Sequence, residues 1–117
     1  MKDFNKIKKN LAQRRVLRVR AKISGNAAKP RLAVFKGLRH LSMQAIDDSS
    51  GRTLASAYDR EIKGENPKER ARAIGELIAK KLGEQKITTA VFDKRHYQYH
   101  GLVKAMADGA RAGGLKF

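Results

Sequence analysis

Asp93, His96 and His100 sit at spacings of three and four, the periodicity that would turn them toward one metal ion if a single helix carried them all. That condition is not met. Asp93 closes an apolar run that reads as a strand, and Lys94 and Arg95 put positive charge where a cation would have to bind. Two-metal nuclease chemistry needs clustered carboxylates; the run RLAVFK (31–36) has none, and Asp47 and Asp48 fall in a turn, where they are expected to cap a hairpin. No glycine-rich phosphate loop follows a strand, since KGLRH joins strand to strand and GENPKER lacks the Walker lysine and hydroxyl pair. The 117 residues include no cysteine, which removes disulfides, thiol catalysis and Cys-containing zinc sites together and suits a reducing compartment. The expectation is a protein without catalytic residues, resident metal, cofactor or small-molecule substrate.

What stands out instead is DKRHYQYHG (93–101), where tyrosines and histidines interleave with Lys94 and Arg95 at the carboxyl end of a strand. Cations neutralise phosphates, and planar rings beside them stack on unpaired bases or reach 2′-hydroxyls, so this run fits an RNA surface. Tyr97 is expected to face RNA, whereas Tyr99, which opens an apolar helical stripe, is expected to close the core. A second basic constellation, Lys36, Arg39 and His40, occupies the first strand-to-strand turn.

Formal net charge is +16, which points to a polyanionic partner, nucleic acid before membrane. Its distribution is uneven. Residues 1–31 hold eleven Lys and Arg, among them Lys8, Lys9, Arg14, Arg15, Arg18, Arg20, Lys22 and Arg31, against the single acid Asp3. Phe4, Ile7 and Leu11 begin a helical stripe, but basic residues then occupy nearly every face through Lys22, so a helix here has little to bury and repels itself. The expectation is an arm that is frayed alone and becomes partly helical on RNA. Apolar runs reach only about four residues, as in Leu32–Phe35, too short to cross a bilayer or to form a signal peptide.

The elements that must position these groups follow from periodicity. Leu32–Phe35 is apolar at consecutive positions and reads as a central strand covered on both faces. HLSMQAID and RTLASAY alternate around the hairpin signal Asp48-Ser49-Ser50-Gly51. Asn66-Pro67-Lys68-Glu69 has the chemistry of a helix start, with Ala71, Ile74, Gly75, Ile78 and Leu82 as the buried stripe and Gly83 as the expected left-handed cap. KGENP (63–67) is the one loop expected to be flexible. Thr88–Asp93 is a fourth strand, joined through that helix and so most simply parallel to the first. Leu102, Val103, Met106 and Ala110 mark a second helix, with the small residues Ala105, Gly109 and Ala112 opposite and Gly113-Gly114 as its end. The fold class is α/β: a mixed four-stranded sheet with helices packed on it, one domain over 29–117 behind a basic RNA-binding arm over 1–28.

RLAVFKGLRHLSMQAIDDSSGRTLASA followed by VFDKRHYQYHGLVKAMADGARAGGLKF resembles the bacterial ribosomal protein L eighteen family across nearly the whole chain. The most specific elements are Phe92-Asp93, Tyr99-His100-Gly101, Val103-Lys104-Ala105, Ala107-Asp108 and the terminal Gly114-Leu115-Lys116-Phe117, with the arginine-rich arm matching in place and type. The resemblance implies sheet order 3-2-1-4 with strand 2 antiparallel. It also implies a cytoplasmic, ribosome-bound structural protein of the large subunit, docked on 5S rRNA in the central protuberance, touching 23S rRNA and neighbouring ribosomal proteins. Taken with the basic patches, it sets the expected RNA-binding residues as Lys8, Lys9, Arg14, Arg15, Arg18, Arg20, Lys22, Arg31, Lys36, Arg39, His40, Lys94, Arg95, Tyr97, His100 and Lys104. Two positions depart from the family pattern. Arg95-His96 stands where a small residue and glycine are usual, and Leu102 stands where a basic residue usually follows His100-Gly101. The other classes weighed from charge and topology are a nucleoid-type DNA-binding protein and a metal-dependent nuclease.

Overall fold

The computed structural model describes residues 4–20, 24–37, 40–62, 66–95 and 97–117. Lys22, Arg39, His96 and positions 63–65 of the KGENP loop lie outside the described residues. The chain runs α1 (Phe4–Arg20), β1 (Arg31–Lys36), β2 (Leu41–Asp47), β3 (Arg52–Tyr58), a 3-10 turn (Asp59–Glu61), α2 (Pro67–Glu84), β4 (Val91–Asp93) and α3 (Leu102–Ala112). The strands form one sheet in the order β3-β2-β1-β4, with β2 antiparallel to β1 and β3, and β1 parallel to β4. Both the mixed sheet and its 3-2-1-4 order match the expectations from sequence.

Because side chains alternate across a strand, the register assigns the two faces. Leu32 pairs with Ala45 and Phe92, and Val34 with Met43; all but half-buried Phe92 are fully buried, and they share one core with Ile74, Ile78 and Leu82 of α2 and Val103 and Met106 of α3. Arg31, Ala33 and Phe35 point the other way, beside Ile46, Gln44 and Ser42. The continuous apolar run in β1 therefore reflects a strand buried on both faces at Leu32, Ala33 and Val34, as the sequence predicts.

Asn66 caps α2 as expected, its Oδ1 accepting from the Glu69 N–H at 2.8 Å, with Pro67 in the first turn. The end of α2 differs from expectation. Gly83 stays helical, and Lys86 takes the left-handed conformation at φ 62°. Ile87 N–H donates to Leu82 O and Lys86 N–H to Gly83 O, the paired bonds of a Schellman ending. Along α3, the small residues let the helices touch through backbone: a Cβ added at Gly75 would overlap the Met106 carbonyl, and one at Gly109 the Arg72 carbonyl. Because Arg72 faces Gly109 and Ala79 faces Gly113, the two helices run parallel, with their N-termini at one end of the molecule.

The fourth strand is shorter than its sequence suggests. Val91–Asp93 pairs with β1, whereas Thr89 bridges to Lys116, with Ala90 N–H donating to Lys116 O and Lys116 N–H to Thr88 O. The chain end is thereby bound beside β4. At the opposite edge, Lys81 Nζ donates to Ser56 O at 2.6 Å and Gln85 Nε2 to Leu54 O at 2.8 Å, so side chains of α2 and of the residue that follows it occupy carbonyls that an edge strand would otherwise offer to another chain. No helix among the described residues is long and apolar enough to cross a membrane.

Residues 4–20 form a continuous helix. Leu11 and Leu17 remain 46% and 65% exposed.

Candidate nucleic-acid interface

A buried ion network frames the amino-terminal entry to the sheet. Arg31 is 6% exposed; its Nη1 donates to Asp93 Oδ2, and its Nε and Nη2 donate to Asp48 at 3.0 and 3.1 Å. Burial opposes the guanidinium's charge, but the hydrogen bonds it donates to the two carboxylates outweigh it and hold the pKa above the ordinary value. Arg31 is therefore corrected from the RNA-facing set to a structural role, because its donors are spent inside the protein. Asp48 Oδ2 also accepts from Gly25 N–H at 2.7 Å, and Gly25 O accepts from Asp48 N–H, which fastens the segment before β1 to the β2–β3 hairpin.

Asp93 is fully buried between Arg31 and the following loop, where its Oδ1 accepts from Arg95 N–H at 2.8 Å. With both oxygens engaged, it is not placed as a metal ligand. Asp47 is likewise engaged: the Ser49 hydroxyl first, then that of Ser50, donate to it and lower its pKa. Among the described residues no cluster of three acidic or histidine side chains is placed to hold a metal.

The loop after β4 reaches back to the first turn. Tyr97 Oη accepts from Lys36 N–H at 3.0 Å and donates to Lys36 O at 3.1 Å, while its ring packs half-buried against the core. Tyr97 is thus a packing and tethering residue, which corrects its reading as a free stacking ring; Tyr99 is the more exposed, at 40%. Tyr99 meets Phe92 edge-on at 5.7 Å, and Phe92 stacks on Phe117. The Tyr97 tether brings Lys36 to the Lys94–Arg95 loop, joining two basic constellations that lie about sixty residues apart in sequence. His40, at the same turn, is exposed with Nδ1 3.2 Å from Asp59 Oδ2. Burial would raise the Asp59 pKa, but bonds from His40 and the Leu41 N–H outweigh it and leave it lowered.

Arg95 lies at φ 58°, with its guanidinium 4.5 Å from the centroid of the Phe35 ring. It also borders an open groove of about 580 Å3 with Lys9, Ala12, Gln13, Val16 and Leu17 of α1. This is where the arm meets the domain. Lys8, Lys9, Arg14, Arg15 and Arg18 are exposed along α1, which Arg20 closes. A second basic spot sits where the N-termini of α2 and α3 converge: His100 and Lys104 line a groove with Lys68, which the sequence set does not include. Lys68 had a signal available in its place beside the Pro67 helix start. Phe35 had none, since only the tertiary pairing gives it its neighbours.

A family model described as ribosomal L18 of archaea, bacteria, mitochondria and chloroplasts matches residues 6–117. The chain belongs to the ribosomal protein L18 family. Within that family, it is 50% identical to the large ribosomal subunit protein uL18 of Lactiplantibacillus plantarum over 112 residues, 94% of this chain and 95% of that protein. It is also 50% identical to the uL18 of Limosilactobacillus reuteri over 117 residues, covering 98% and 96%. The Bacteroides fragilis uL18 is 52% identical over 101 residues, covering 86% and 89%. L18 membership assigns this chain a structural ribosomal role rather than an enzymatic one.

Proposed function

We propose that this chain is a structural constituent of the large ribosomal subunit that binds 5S rRNA and helps attach it to 23S rRNA in the central protuberance, beside neighbouring ribosomal proteins. The observation that carries the reading is the convergence at Arg95: Tyr97 ties the Lys36 turn to the Lys94–Arg95 loop, and Arg95 of that loop borders, with Lys9 of α1, a groove that α1 lines partly with apolar side chains. Phosphate contacts from Lys8, Lys9, Arg14, Arg15, Arg18, Arg20, Lys36 and Lys94 supply affinity, and base contacts within the groove supply discrimination. His40, His100 and Lys104 extend the surface along the turn and the α3 end, and Lys22 and Arg39 remain candidate contacts by sequence. Residues 1–28 act as the RNA-binding arm and 29–117 as the domain that aims it.

Competition at about 0.15 M salt tests the reading, because at that ionic strength charge alone does not distinguish one polyanion from another. Folded 5S rRNA is expected to displace the protein from duplex DNA of equal length. Equal displacement by both would leave a nucleoid-type DNA-binding protein as the better account.

A further inference from the structure

Arg95 holds a left-handed backbone conformation that L-residues other than glycine adopt only at a cost. Asp93 sustains it by accepting the Arg95 N–H, and Phe35 supports the guanidinium from one side. Strain kept by a well-determined surrounding points to a side chain that is used.

We propose that Arg95, seated on Phe35, is a stacking platform for one unpaired RNA base, with the groove between Arg95 and α1 as the pocket for that base. The inference rests on the RNA-binding reading above and specifies its recognition element. The guanidinium is planar and cationic, so with one side against an aromatic ring it presents a rigid plane of the kind on which bases stack. The groove volume of about 580 Å3 lies in the range of small-ligand pockets. Ala12, Val16 and Leu17 give it an apolar lining that suits the faces of a base and gives nothing to a phosphate. Lys9 is placed to pair with the nucleotide's phosphate, and the Gln13 amide offers both a donor and an acceptor to a base edge. A paired base is already stacked within its helix, so the site selects a single-stranded loop or bulge.

The left-handed backbone at Arg95 supplies a clean test. Arg95→Gly removes the platform while relieving the strain, so this variant should melt no lower than the wild type. Arg95→Lys keeps the charge and loses the plane. With the full chain and a folded 5S rRNA transcript at about 0.15 M salt, both variants are expected to bind about tenfold more weakly than the wild type. One unpaired nucleotide protected from dimethyl sulfate by the wild type should regain reactivity with either variant. Wild-type affinity in Arg95→Gly would overturn the proposal, and so would wild-type affinity in Arg95→Lys, which would reduce Arg95 to a point charge. Loss of affinity without a change at any base would overturn it too. Failure of the wild type to prefer 5S rRNA over duplex DNA is a separate result, which defeats the function reading and this inference together.

Discussion

Tyr97 and Lys36, sixty-one residues apart, exchange two hydrogen bonds: the phenolic oxygen accepts from the Lys36 N–H and donates to the Lys36 carbonyl. One side chain thus fixes the loop after β4 to the end of β1. Tyr97→Phe should lose about 1 kcal/mol of stability from the two bonds, and Tyr97→Ala about 2 kcal/mol because the half-buried ring goes as well. Urea denaturation separates the cases. Unchanged stability in Tyr97→Ala would restore Tyr97 as a free RNA-facing ring.

The Arg31–Asp93 pair is buried, so breaking it from one side should be costly while replacing both partners should not. Asp93→Ala is expected to destabilise by about 3 kcal/mol, the lower end for a broken buried pair because Asp48 still holds Arg31. The double variant Arg31→Met with Asp93→Leu should recover part of that loss. A double variant less stable than Asp93→Ala alone would show that the network contributes more than the hydrophobic contacts replacing it.

Glycines in the two helices should respond in opposite directions. Gly109→Ala forces a Cβ into the Arg72 carbonyl and should cost about 3 kcal/mol or more by pushing α2 and α3 apart. Gly83→Ala meets nothing within 4 Å in a helical position and should gain about 0.5–1 kcal/mol. Thermal melts of the two variants decide it, and a loss at Gly83 would mean that the α2 ending needs glycine after all.

Truncation separates affinity from stability. Deleting residues 1–23 or 1–28 removes the same nine Lys and Arg, so either should lower the slope of log affinity against log salt by about 3–5 units if roughly four to six of them touch phosphate. Only the longer deletion also removes Gly25, which is bonded to Asp48 in both directions. The 1–28 deletion should therefore melt several degrees below the 1–23 deletion, and matching melts would place Gly25 outside the cooperative unit.

Acid should weaken the fold through Asp47 and Asp59. Both pKa values lie below the ordinary 3.8 in the folded protein. A carboxylate with a depressed folded pKa contributes stability above its unfolded pKa and loses it as pH falls through the folded value. Their contribution should be level from about pH 7 to 5 and decline below about pH 4. Asp47→Asn should show a shallower decline in that acid window; an equally steep one would mean that the Ser49 and Ser50 bonds do not favour the ionised form.

The sequence by itself determined the strand and helix order, the capping of α2 by Asn66, the core stripes and the basic character of the partner surface. These are local or periodic properties: alternation at two, recurrence at three and four, and charge density are written in consecutive residues. The tertiary structure decided which cations stay outside. Arg31 and Arg95 look equally basic in sequence, yet the sheet and the β2–β3 hairpin set Arg31 between the buried Asp93 and the half-buried Asp48, while Asp93 holds the backbone of Arg95, whose guanidinium lies over Phe35. The same holds for Tyr97 and Tyr99, whose order of burial reverses the sequence expectation because Lys36 comes within reach of only one of them. Burial and hydrogen-bond partners depend on contacts between residues far apart in the chain, and no local pattern of residue types carries that information.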